Sequence, residues 1–192
     1  MDYPFNVLKG FEYEFLRELR EYFEENKSND QMLEIIIIET SRRNQIDSIL
    51  QGLAFNLNMV YDKESALEYC SVSGIKSLFE IVAASVAPGI LHISHFKYLN
   101  MILEQSSTGQ PSKKEKDSIE IRLSNILKEA VANLEQTLTK KRDKVFIFIE
   151  TERMSDIFPE IRQVSSKIIN IPNPEDDKDI ISLISRKELL ST

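Results

Sequence analysis

Ser41, Arg42 and Arg43 lie in a polar turn, Glu39 to Asn44, between the apolar run Leu33 to Ile38 and a helical pattern from Asn44 to Asn58. Chains often build phosphate sites at such a strand–turn–helix junction, because free N–H groups and the helix dipole favour an anion there. The chemistry needs glycines, so that the backbone can approach the phosphate, and a lysine followed by Ser or Thr. The turn here reads Glu-Thr-Ser-Arg-Arg-Asn and has none of these. Ser41, Arg42 and Arg43 could still donate to an anion; solvated turn residues are the simpler reading.

Other reactive side chains are few. His92 and His95 stand three apart, and a metal pair would need Asp or Glu nearby. No third ligand is close in sequence and strand alternation splits their directions, so structural or surface roles are expected, with no metal. The single cysteine, Cys70, cannot form an internal disulfide, which suits a reducing compartment. With two histidines available to activate it, it reads as an inert thiol. Ser71-Val72-Ser73-Gly74 has the look of a nucleophile turn, yet it lacks the preceding strand and the His-Asp partners.

Elements to position these residues follow from periodicity. Phe15, Leu16, Leu19, Tyr22 and Phe23 form one stripe of an amphipathic helix over residues 12–25. Ile35 to Ile38 are β-branched and apolar on both faces, as a buried parallel strand requires. Ile46, Ile49, Leu50, Leu53, Ala54 and Leu57 return to helical spacing. Residues 59–62 read as a second strand, 64–87 as mostly helical with a break near Ser71, and 89–94 as a third strand. Residues 95–103 turn helical again. Residues 104–118 hold no apolar side chain and read as a mobile loop, with protease nicking expected at Lys113, Lys114 or Lys116. A long helix over 119–138, strands at 144–150 and 166–172, and the start of a final helix complete the chain. Five short apolar strands between helices, without hairpin signals, give an α/β fold with a mainly parallel five-stranded sheet.

The 192 residues, 42% apolar and 29% charged, suit one domain able to bury a real core. Lys and Arg number 24 against 31 Asp and Glu, a net charge of −7. That balance argues against nucleic acid, and the runs Lys113, Lys114, Lys116 and Lys140, Lys141, Arg142, Lys144 read as solvated. No stretch has the length of a membrane span, and the acidic, aromatic N-terminus is unlike a signal peptide. A cytoplasmic location is expected.

Residues 145–174, VFIFIETERMSDIFPEIRQVSSKIINIPNP, carry a resemblance. The strand ends near Thr151, a short loop brings Asp156, Ile157, Pro159, Ile161 and Arg162, and a last strand with Ile169 and Ile171 leads to Pro174. This order resembles the α/β core of AAA+ ATPases, in outline over residues 33–184. The resemblance implies the strand order 5-1-4-3-2 of a P-loop NTPase, with an N-terminal helix at 1–30, the core at 31–174, and the start of a helical lid or linker at 175–192. It also implies where catalytic groups should stand, and they are missing. The Walker A loop falls on Glu39 to Asn44, the Walker B Asp-Glu pair on Ser94 and His95, and the polar sensor on Glu152. Of two arginines expected nearby, Arg162 is present and Ser165 stands close to the other. Arg162 is therefore either a contact made in trans to a neighbouring subunit or an ordinary loop arginine.

A degenerate AAA+-like domain is the resulting expectation: no enzyme, no cofactor, and a scaffold or assembly role through protein contacts within a larger ATPase. The partner would be a protein or a following active ATPase domain, with no membrane and with homo-oligomers open. The chain stops where the family's lid would begin, which suits a module of a longer protein. A weak nucleotide binder using Ser41, Arg42 and Arg43, and a stand-alone adaptor, are the competing readings.

Overall fold

The structure is a computed structural model that describes residues 15, 17–19, 21–23, 30–40, 46–97 and 113–171, with 113–120 placed by backbone alone. Its spine is β1 (Leu33–Glu39), the LEIIIIE run. Six of the seven β1 side chains are buried, because both faces of the strand are covered. β4 (Val145–Thr151) pairs parallel with it, Ile36 opposite Phe148, and β5 (Lys167–Asn170) flanks its other edge. β3 (Gly89–Ser94) lies beyond β4, and β2 (Val60–Ser65) forms the far edge. The order β2-β3-β4-β1-β5, with every pairing parallel, is the order implied by the resemblance. The sheet is AAA+-like in order and direction.

Alternation along each strand divides the core into two layers. Ile35, Ile37, Leu91, Ile93, Ile147 and Ile149 face one layer. That layer is closed by α2 (Val72–Ser77), a π-helical turn (Leu78–Val82), α3 (Ala83–Val86), α4 (Lys113–Lys141) and α5 (Pro159–Val164). Ile36, Ile38, Ile90, Phe146 and Phe148 face the other, against α1 (Ile46–Asn56) and the N-terminal helical residues Phe15, Leu19 and Tyr22. The buried stripe Ile46, Leu50, Ala54 seats α1, as its spacing predicts.

The N-terminal helix is also tied by polar groups. The Tyr22 hydroxyl donates to the fully buried Glu34 carboxylate, and Lys144 Nζ stands 2.5 Å from Glu34 Oε1. That contact is an ion pair without hydrogen-bond alignment at Oε1. Burial, then the bond to Glu34, push the Tyr22 phenol well above its usual range.

Two expectations are corrected. Residues 113–118 belong to the 29-residue helix α4, so the polar segment is not a loop there, and 104–112 lie outside the described residues. Lys and Glu are good helix formers, and a helix seated in the core by Leu123, Leu127 and Leu134 extends upstream at little cost. The second strand also runs on to Ser65, so Glu64 and Ser65 are strand rather than helix. The break near Ser71 is a helix start: Ser71 Oγ caps α2 by accepting from Gly74 N–H at 2.9 Å. The short helix of 95–103 is described only to Lys97, and the tail from 172 lies outside the described residues.

Candidate functional site

In open parallel sheets, ligands bind outside the carboxyl ends of the strands, so the C-terminal ends of β1, β3 and β4 form the candidate site. At the end of β1, Glu39 Oε1 accepts a hydrogen bond from Met154 N–H at 2.9 Å. Its own carbonyl accepts from Ile171 N–H at 2.9 Å. Thr40 N–H donates to the Thr151 carbonyl at 2.8 Å. Thr151 Oγ1 donates to the Arg153 carbonyl at 2.9 Å. Glu39, the last residue of β1, is thus fastened by its carboxylate to the 3-10 turn that follows β4. Ser41, Arg42 and Arg43 lie outside the described residues.

At the end of β3, buried Ser94 donates to the Glu64 carbonyl at 3.2 Å. His95 follows in the left-handed region, with φ of 59°. That conformation turns the chain sharply off the strand. Its Nδ1 lies 3.1 Å from Ser94 Oγ and 3.4 Å from Ser65 Oγ. Lys97 Nζ pairs with Glu152 at 3.2 Å across the mouth between β3 and β4. A small recess opens there, lined by His95, Phe96, Lys97, Glu150, Thr151 and Glu152. It is carboxylate-bearing and offers one lysine, already paired.

Beneath the mouth lies a polar cluster that the linear sequence hides. His92 is fully buried, with Nδ1 2.8 Å from Asp47 Oδ1 and Nε2 3.2 Å from Glu150 Oε2. The second contact is close but not aligned as a hydrogen bond. Tyr61 donates to Asp47 Oδ1 at 3.1 Å, and Lys63 closes an ion pair with Asp47 Oδ2. Burial would raise the Asp47 carboxyl, but Lys63, His92 and Tyr61 outweigh it and hold it below its usual value. Burial and the Asp47 charge push the Tyr61 phenol well up. Near the β2 end, burial and the bond to Glu64 push Tyr69 up to about 12.

Asp47 stands in the first turn of α1, where a carboxylate satisfies the helix dipole that a phosphate would otherwise use. Glu150 shares a sheet face with His92 because 146, 148, 150 and 90, 92, 94 alternate in register on adjacent strands. Sequence reasoning missed both. The signal was strand alternation combined with strand order, neither of which suffices alone. Among the described residues no group of three or more His, Cys, Asp or Glu is placed to hold a metal ion.

Arg162 is exposed on α5. Its N–H donates to the Phe158 carbonyl at 3.2 Å and its carbonyl accepts from Ser165 Oγ at 2.8 Å. Burial raises Cys70, a half-buried thiol 3.4 Å from the Ala66 carbonyl. Ser71 caps α2 and Ser73 lies in its first turn, with no imidazole in hydrogen-bond reach among the described residues. No described helix is long and apolar enough to cross a membrane.

No protein-family model matches the chain, and no curated protein matches it in sequence. Among solved structures it is similar to one from the HORMA:CdnC:Trip13 complex of E. coli MS115-1, at 12% identity and a TM-score of 0.49. That match covers 88% of this chain and 60% of the other. It is also similar to the FIGL-1 AAA domain in complex with ADP, at 16% identity and a TM-score of 0.47, over 84% of this chain and 49% of that one. The chain therefore spans about half to three-fifths of the length of these structures.

Proposed function

We propose that the chain is a non-catalytic AAA+-like scaffold or assembly module of a larger ATPase, acting through protein–protein contacts and holding no nucleotide. One observation carries the reading: carboxylates stand at the C-terminal end of the sheet, where the phosphates of a nucleotide would lie. Glu39 begins the turn and is fixed by Met154 N–H, Glu150 lines the recess, and Glu152 holds the mouth with Lys97. Ser94 and His95, at the end of β3, supply no carboxylate to orient magnesium or polarise water.

Magnitude supports this. A carboxylate about 4 Å from a phosphate charge costs about 4 kcal/mol at an effective dielectric of about 20. With about 1.4 kcal/mol per tenfold in affinity, a repulsion of that size removes up to about a thousandfold, and less at Glu152, whose charge Lys97 already offsets. Titration calorimetry with ATP·Mg²⁺, together with a phosphate-release assay, tests the reading. Binding weaker than millimolar and no turnover above background are expected. Micromolar binding would overturn it and favour a nucleotide binder with an atypical phosphate loop.

A further inference from the structure

The opposite end of the sheet carries a surface that the core does not explain. Phe55 is 73% exposed, Leu57 39% and Val60 55%. They sit where α1 ends and β2 begins, held by the bond from Met59 N–H to the Ala54 carbonyl at 2.8 Å. Val60 N–H reaches the Pro88 carbonyl, and Gly89 N–H reaches the Lys144 carbonyl. The apolar trio and the α4–β4 turn therefore share the N-terminal edge of the sheet, two strands and roughly 10 Å apart. That turn presents Lys140, Lys141 and Arg142, all exposed. Lys140 and Lys141 complement the dipole at the end of α4, which accounts for them as helix residues. The dipole gives no reason for three large apolar side chains to stand in water beside them.

The complement is on the same molecule, at the other end of the same strand. Past the C-terminal end of β2, the 3-10 turn Ala66–Tyr69 holds Leu67, 46% exposed, next to exposed Glu68 and with Glu64 on the strand before it. An acidic turn carrying one leucine fits an apolar patch flanked by cations.

We propose that copies of this chain associate head to tail along the strand direction, with the Leu67–Glu68 turn of one seated on the Phe55, Leu57, Val60 and Lys140–Arg142 surface of the next. The contact is heterologous, so it runs on as a stack or closes into a ring rather than stopping at a two-fold dimer. This deepens the assembly reading above by naming the partner and the surface, and it rests on that reading only for its purpose. Nucleotide binding would sink the assembly reading and leave the contact standing.

Sedimentation velocity on the full 192-residue chain tests it. Wild type should form larger species as concentration rises, and these should weaken in high salt. Leu67→Lys/Glu68→Lys and, separately, Phe55→Asp/Val60→Asp should each be monomeric with unchanged circular dichroism, since every altered side chain is exposed. Mixing the two variants should restore a 1:1 dimer and nothing larger, because one intact head then meets one intact tail. A wild type that stays monomeric, or association untouched by either variant, overturns the proposal. So does a monomer that instead binds anionic vesicles through the basic edge.

Discussion

His92 is the residue at which the sequence reading and the structure meet most informatively. A structural or surface histidine was expected, and the ring is fully buried, but its partners Asp47 and Glu150 come from 45 residues before and 58 after it. Pairings at such separations depend on the strand order, so no local motif could announce them. The Asp47 carboxyl is held below its ordinary value of 3.8. Its stabilising contribution is therefore complete above the unfolded value and is lost as pH falls through the lower, folded one. Asp47→Asn should lower the melting temperature at pH 7. The gap to wild type should close as pH drops below about 3.8, as Asp47 itself is protonated. Melting curves at several pH values check this, and a gap constant down to pH 2 would mean that the pairing contributes nothing.

Among the elements, the strands were the most legible. Runs such as Ile35 to Ile38 and Phe146 to Ile149 announce burial on both faces, and the structure pairs them as adjacent central strands. β2 was legible only in part, because its edge position allows the polar sequence VYDKES to be strand. Residues 113–118 misled for a related reason: a polar stretch that continues a helix reads like a polar loop. Hydrogen exchange should be slowest at Ile36, Ile37 and Phe148, and much faster across β2 and β5, which pair on one side only among the described residues. Fast exchange at Ile36 would contradict the topology. Gly89 opens β3 where a Cβ would meet the Val86 carbonyl oxygen at 2.3 Å and the Val60 carbonyl oxygen at 2.7 Å. Both obstacles are backbone and cannot swing away. Gly89→Ala should therefore destabilise by about 1–3 kcal/mol in urea unfolding. A neutral result would mean that the β2–β3 start is loosely held.

At the scale of the whole molecule, a parallel sheet gives the chain two chemically different ends. One bears Glu39, Glu150 and Glu152 where strands finish, and the other bears Lys140, Lys141 and Arg142 where they begin. The fold class was readable because hydrophobic periodicity and crossover connections leave few topologies for such a chain. The character of the mouth was readable only as the lack of glycine and lysine after Ile38; that Glu39 is fastened to Met154 required the fold. Whether that edge admits a nucleotide is the central question. The most direct measurement is the melting temperature of the chain with and without saturating ATP·Mg²⁺. The account predicts no shift. Stabilisation approaching the roughly 2.7 kcal/mol expected at a hundred times the dissociation constant would contradict it.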